Sequence, residues 1–161
     1  MGAVMKKNHK TMVFNAILAA LYVALCSVNP ISFGAMQFRI ANILVVLPLL
    51  NISYTPGVLL GIAFANAASP LGPVDIMCGL LAEGAAYFIC WLTPAKCLGT
   101  AVKITILALC VAVVIGTELY MLYNAPILVT AAGLFFTTVI SETVGYFMFT
   151  RSVLKKMLSL R

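Results

Sequence analysis

Charged side chains are confined to a few places in this chain. Nine of the ten lysines and arginines lie in the two tails and one short loop, and the long stretches between them are apolar. Hydrophobic residues make up 63% of the 161 residues and charged residues 9%. A soluble domain of this size carries roughly 25% charged residues, so this chain has too little polar surface to face water on all sides. The bilayer is its natural solvent. At about 20 residues per crossing, the length accommodates about six transmembrane helices in one domain, residues 1–161. No length remains for a soluble domain. The glycine-lysine phosphate loop of an ATPase is absent from the sequence, so ATP-driven work would need partner chains. The net charge of +6 does not indicate nucleic acid, because the basic residues flank apolar helices rather than forming a patch.

The spacing of breakers predicts an all-α bundle with helices over residues 12–29, 39–50, 57–68, 74–92, 101–122 and 127–150. Pro30 stops the first helix, and Pro48 is expected to kink or end the second. Ser69-Pro70-Leu71-Gly72-Pro73 is a clear break. The second and third helices are short for a full crossing, and a single re-entrant hairpin is the alternative there. Six crossings put both ends on one side. Residues 1–11 and 151–161 then form tails, joined on that face by Lys96 and Lys103. The bias of basic residues makes the face cytoplasmic. The first helix resembles a signal peptide in its basic flank and apolar run, but no small-x-small cleavage site follows, so a retained helix is expected. Cys26, Cys78, Cys90, Cys97 and Cys110 form no CxxC pair and read as small apolar side chains.

Arg39 is the basic residue outside the cytoplasmic pattern. It has two readings: an arginine snorkelling to the outer interface, or a ligand or carboxylate partner at the mouth of a pocket. The four acids are Asp75, Glu83, Glu118 and Glu142, and none lies in a tail. A charge near the centre of a spanning helix costs roughly 2.5–3.5 kcal/mol on insertion scales. Such residues either bond between helices, in some cases protonated, or build a site. Asp75, Gly79, Glu83 and Tyr87 share one helical stripe at i, i+4 spacing. Four acids on three helices favour a common cavity. Against Arg39 that cavity is negative, suited to a cation or to a ligand rich in N–H donors. A carboxylate accepts two parallel N–H bonds well, and a guanine-like base offers such an edge. Phe33, Phe38, Tyr87, Trp91, Tyr120 and Tyr123 are candidates for a stacking wall, or else for packing and interface belts.

Small residues repeat at i, i+4 in three places: Ala16, Ala20 and Ala24; Gly57, Gly61 and Ala65; Ala108, Ala112 and Gly116. Each allows close helix approach, and internal packing accounts for such stripes as readily as a partner does. An intramembrane enzyme would need a nucleophile-base set or metal ligands, yet His9 in the tail is the only histidine. No metal or cofactor is expected.

The run Asn29-Pro30-Ile31-Ser32-Phe33-Gly34 followed by Gln37-Phe38-Arg39-Ile40 resembles the QueT family. So do Leu47-Pro48, residues 57–66, and Ser69-Pro70-Leu71-Gly72 with Asp75. The resemblance covers nearly the whole chain. It implies a six-helix substrate-binding (S) component of a bacterial energy-coupling-factor transporter in the cytoplasmic membrane. Such a component would capture a queuosine precursor from outside and dock on a module of one membrane scaffold and two ATPases. The implied ligand is the aminomethyl deazaguanine preQ-one or a related base such as queuine. Gln37, Arg39, Asn66, Asp75, Glu83, Tyr87, Glu118 and Glu142 are the candidate substrate residues. Ala16, Ala20 and Ala24 match the alanine-spaced helix through which S components meet the scaffold. One departure is visible. An acid is expected shortly after the Gln-Phe-Arg-Ile motif, where this chain has Ala41-Asn42-Ile43. Arg39 therefore lacks a partner near it in sequence, which moves queuine or a nucleoside forward as substrate. The competing readings are an S component for another vitamin and a small membrane protein that does not transport.

Overall fold

The computed structural model describes residues 2–29, 39–93 and 99–151, with side chains in the first helix from residue 9 onward. Every regular element among the described residues is helical. The order is α1 (Gly2–Val28), a 3-10 turn (Ile40–Leu44), α2 (Leu47–Leu50), a second 3-10 turn (Ile52–Tyr54), α3 (Thr55–Ala67), α4 (Pro73–Leu92), α5 (Thr100–Tyr123) and α6 (Ile127–Arg151). The chain is an all-α membrane bundle. Four of its helices, in α1, α4, α5 and α6, are long and apolar enough to cross a membrane. At 1.5 Å per residue the 13-residue α3 reaches only about 20 Å, short of a hydrocarbon core of roughly 30 Å.

Two expected boundaries differ. The first helix continues back to Gly2 instead of starting at residue 12. The expected second helix over residues 39–50 is broken into a 3-10 turn and a single turn of α-helix. Pro48 sits in the first turn of α2, not at its end. A proline is tolerated there because the first N–H groups of a helix have no intrahelical partner.

Packing explains the broken segment. α1 packs on α3, α3 on α4, α4 on α5 and α5 on α6. The 3-10 turn touches both α6 and α1, and so closes the ring. Its approach to α6 is very close: a Cβ at Gly145 would collide with the carbonyl of Ile43. On the other side of the ring, a Cβ at Gly61 would lie 2.7 Å from Tyr22 Cβ. Asn15 on α1 clamps the start of α3. Its Nδ2 donates to the Ser53 carbonyl at 2.9 Å, and its Oδ1 accepts from the Gly57 N–H at 3.2 Å.

The outside of the ring is apolar. Val13, Ile17, Leu21, Phe64, Leu81, Leu109, Val113, Phe136 and Ile140 are all exposed, as lipid-facing side chains should be. The inside holds an apolar core around Tyr22, Leu47, Val58, Ile62, Leu107 and Leu119, together with Arg39 and all four acids. Two turns position those groups. Gly72 enters α4 with φ of 55°, a backbone conformation open to glycine at little cost. Asn124 ends α5 in the left-handed region, where asparagine is among the favoured residues.

Candidate functional site

The interior polar groups come from α1, the residue just before the first 3-10 turn, α3, α4, α5 and α6. Arg39 precedes the 3-10 turn and points into the ring, buried. Its guanidinium donates to Asn66 Oδ1 at 2.6 Å and pairs with Asp75 Oδ1 at 3.5 Å. Asn66, near the end of α3, uses both ends of its amide, since Nδ2 donates to the Asp75 carbonyl at 2.8 Å. Asp75 lies in the first turn of α4, where the helix dipole favours a negative charge. Three segments are thus braced together. The snorkelling reading of Arg39 is overturned, because its charged head is turned inward. The acid missing after the Gln-Phe-Arg-Ile motif has a substitute here, 36 residues along the chain from Arg39, in Asp75.

Gly79 makes room for the brace. A Cβ at Gly79 would collide with Asn66 Nδ2, so any larger residue would push the amide off Arg39 and Asp75. Below it on the same stripe, a small cavity of about 20 Å³ is lined by Arg39, Asn42, Gly79, Glu83, Val111, Ile115, Leu134 and Thr138. Glu83 is 7% exposed. Arg39 and Asp75 both act on it electrostatically, but it makes no ion pair and no hydrogen bond to another described side chain. Glu83 lies eight residues beyond Asp75, about 12 Å deeper at the helical rise.

The remaining candidates are dispersed. Glu142 is fully buried on α6, and neither carboxylate oxygen has a hydrogen-bond partner among the described residues. Tyr87 donates its hydroxyl to the Val45 carbonyl at 2.8 Å. It also lines a cleft of about 290 Å³ near the far end of α4, with Thr55, Cys90, Trp91 and Lys103. Glu118 is buried beside Cys78 and borders an apolar groove of about 390 Å³ between α4 and α5, away from the small cavity. The four acids therefore do not line one shared cavity among the described residues. Gln37, with Phe33 and Phe38, lies outside the described residues. Trp91, Tyr120 and Tyr123 are exposed and build no stacking wall. Cys26, Cys78, Cys90 and Cys110 are free thiols.

Sequence reasoning passed over three residues that the fold brings to the polar interior: Tyr22, beside Arg39, and Asn42 and Thr138 on the cavity wall. Thr138 stands four residues before Glu142, and this i, i+4 polar pair in an apolar helix was the available signal.

The three small-residue stripes separate by burial. Gly57, Gly61 and Ala65, and Ala108, Ala112 and Gly116, are buried between helices. Ala16, Ala20 and Ala24 are all exposed. The inward face of α1 carries Leu18, Tyr22 and Cys26, offset by two residues, about 200° around the helix.

No curated protein and no solved structure matches this chain. The family model for the QueT transporter matches residues 12–154, nearly the whole length. This chain belongs to the QueT transporter family, and is a multi-pass membrane transport component.

Proposed function

We propose that this protein is the substrate-binding component of an energy-coupling-factor importer. It captures a deazaguanine queuosine precursor, preQ-one or queuine, at the outer side of the bacterial cytoplasmic membrane and delivers it with the help of a scaffold and two ATPases. The observation that carries this reading is the buried Arg39, Asn66 and Asp75 brace with Glu83 beside it, inside a ring whose exterior is apolar. Charged groups at such depth are expensive, and here Arg39 and Glu83 face one cavity while Asp75 pairs with Arg39 behind its wall. A guanine-type base presents one carbonyl acceptor and a pair of N–H donors, which suits a wall with one cation and one carboxylate.

The cavity is on the scale of a single water molecule, far smaller than a bicyclic base. Binding therefore requires a wall to move. The segment that carries Arg39 and Asn42 is the least regular part of the ring, and it is the wall proposed to yield. Gln37 belongs to the same site in this reading, as the residue of the motif just ahead of Arg39.

Calorimetry on the purified protein in detergent, with preQ-one, queuine, guanine and riboflavin in parallel, tests the substrate. Tight binding of a deazaguanine alone supports the proposal. Binding of riboflavin or another vitamin, with no deazaguanine bound by a folded sample, keeps a transport component but overturns its substrate.

The exposed alanines of α1 are the proposed docking face, since small side chains let a second helix approach closely. Ala20→Trp is expected to abolish co-purification with scaffold and ATPases while ligand affinity stays the same. Intact co-purification of that variant removes the docking role.

A further inference from the structure

Among the four buried acids, only Glu83 lines the small cavity that Arg39 also lines. Asp75 is fully buried and faces the guanidinium. Glu142 is fully buried, off the cavity wall. Glu118 borders the separate groove between α4 and α5. The charges on the wall then sort themselves. Arg39 is matched by Asp75 at 3.5 Å, which leaves Glu83 as the acid on this wall without a counter-ion in contact among the described residues. A carboxylate more than nine-tenths buried, on a cavity wall, with no side-chain partner among the described residues, is an acceptor waiting for donors.

We infer that Glu83 is the residue that reads the donor edge of the ligand, the N1–H and 2-amino pair of a guanine-type base, and that Asp75 is a positioning residue that holds Arg39. The inference rests on the transport reading above and assigns the roles within it. Two parallel N–H donors on adjacent ring positions fit one carboxylate in a bidentate pair. A base without the 2-amino group leaves one Glu83 oxygen unmatched, and a site built around a buried acceptor rejects such analogues strongly. Thr138, four residues from Glu142 on α6, and Gly79, one turn before Glu83 on α4, complete the same wall. Gly79 leaves the space through which Asn66 reaches the brace, and the positioning residue Asp75 and the reading residue Glu83 lie on one stripe of α4, about two turns apart.

The test uses the full-length protein in detergent and four ligands: preQ-one, 7-deazaguanine, 7-deazahypoxanthine, which lacks the 2-amino group, and 1-methylguanine, in which N1–H is blocked. Wild type should prefer 7-deazaguanine over 7-deazahypoxanthine by at least tenfold, about 1.4 kcal/mol, and should bind 1-methylguanine no better than 7-deazahypoxanthine. Glu83→Gln turns an acceptor oxygen into a donor facing the donors of the base. It should weaken 7-deazaguanine and bring the two deazapurines to within about threefold of each other. Asp75→Asn should weaken every ligand by a similar factor and keep the preference. A Glu83→Gln protein that retains the wild-type preference, or an Asp75→Asn protein that loses it, overturns the assignment and leaves the deazaguanine reading standing. Wild type that binds preQ-one but does not distinguish the two deazapurines overturns it as well, and that result needs no variant to fold. Folded wild type that binds none of the four overturns the substrate reading and this assignment together.

Discussion

The interior of this protein has two polar levels that are handled differently. At the upper level, Arg39 bonds the Asn66 amide and forms an ion pair with Asp75 at 3.5 Å, and Asn66 bonds the Asp75 backbone carbonyl, so three segments are linked. At the lower level, Glu142 is equally buried, and no hydrogen bond reaches its carboxylate among the described residues. Tyr87, one turn beyond Glu83 on the same stripe of α4, donates its hydroxyl to a backbone carbonyl. The upper level is a brace that ties the broken segment to α3 and α4. The lower level is a set of separate polar groups. A buried ion pair contributes little net stability when intact, but removing one partner leaves an uncompensated charge in an apolar surround. The two levels should therefore respond to substitution by very different amounts.

The largest effect is expected at the upper level. Arg39→Met strands Asp75 and should lower stability in detergent by about 3–5 kcal/mol. Combining it with Asp75→Asn should restore a large part of that loss, and thermal unfolding of both single variants and the double variant measures the coupling. Purely additive losses would mean that the pair does not hold the segment in place. Next comes Gly79→Ala, which sets a methyl group against Asn66 and should cost about 1–3 kcal/mol by overpacking. A variant as stable as wild type would show that Asn66 can leave the brace freely. The smallest effect is expected at the lower level. Glu142→Gln removes a carboxylate that bonds to nothing described, and should change stability by less than about 1 kcal/mol in either direction. A loss comparable to that of Arg39→Met would erase the contrast between the levels.

Part of this architecture was legible in the residues. The stripe Asp75, Gly79, Glu83 and Tyr87 read as one inward face, and all four are buried on α4. The bounds of α4, α5 and α6 lie within a residue or so of those expected, because prolines and polar turns punctuate long apolar runs there. The break in residues 39–50 was not legible. Ile43 and Leu44 are as apolar as any helical residue, and the feature that accompanies the break is the approach of Gly145 to the Ile43 carbonyl from α6. Sequence alone also grouped four acids in one cavity. It could not separate Glu118 from Glu83, since both are single acids on apolar helices, and their separation depends on which way α5 is turned against α4.

Hydropathy and the confinement of charge determined by themselves that this is a polytopic all-α membrane protein, because a chain so poor in charge cannot be solvated by water. Motif residues spread over most of its length pointed to its family. Only the tertiary structure decided that Arg39 turns inward to Asp75, that one of the three small-residue stripes remains uncovered, and that Glu83 is the one of the four acids on the small cavity wall. Those outcomes depend on how the ring closes, and closure is set by contacts between segments far apart in the chain, where composition and spacing carry no information.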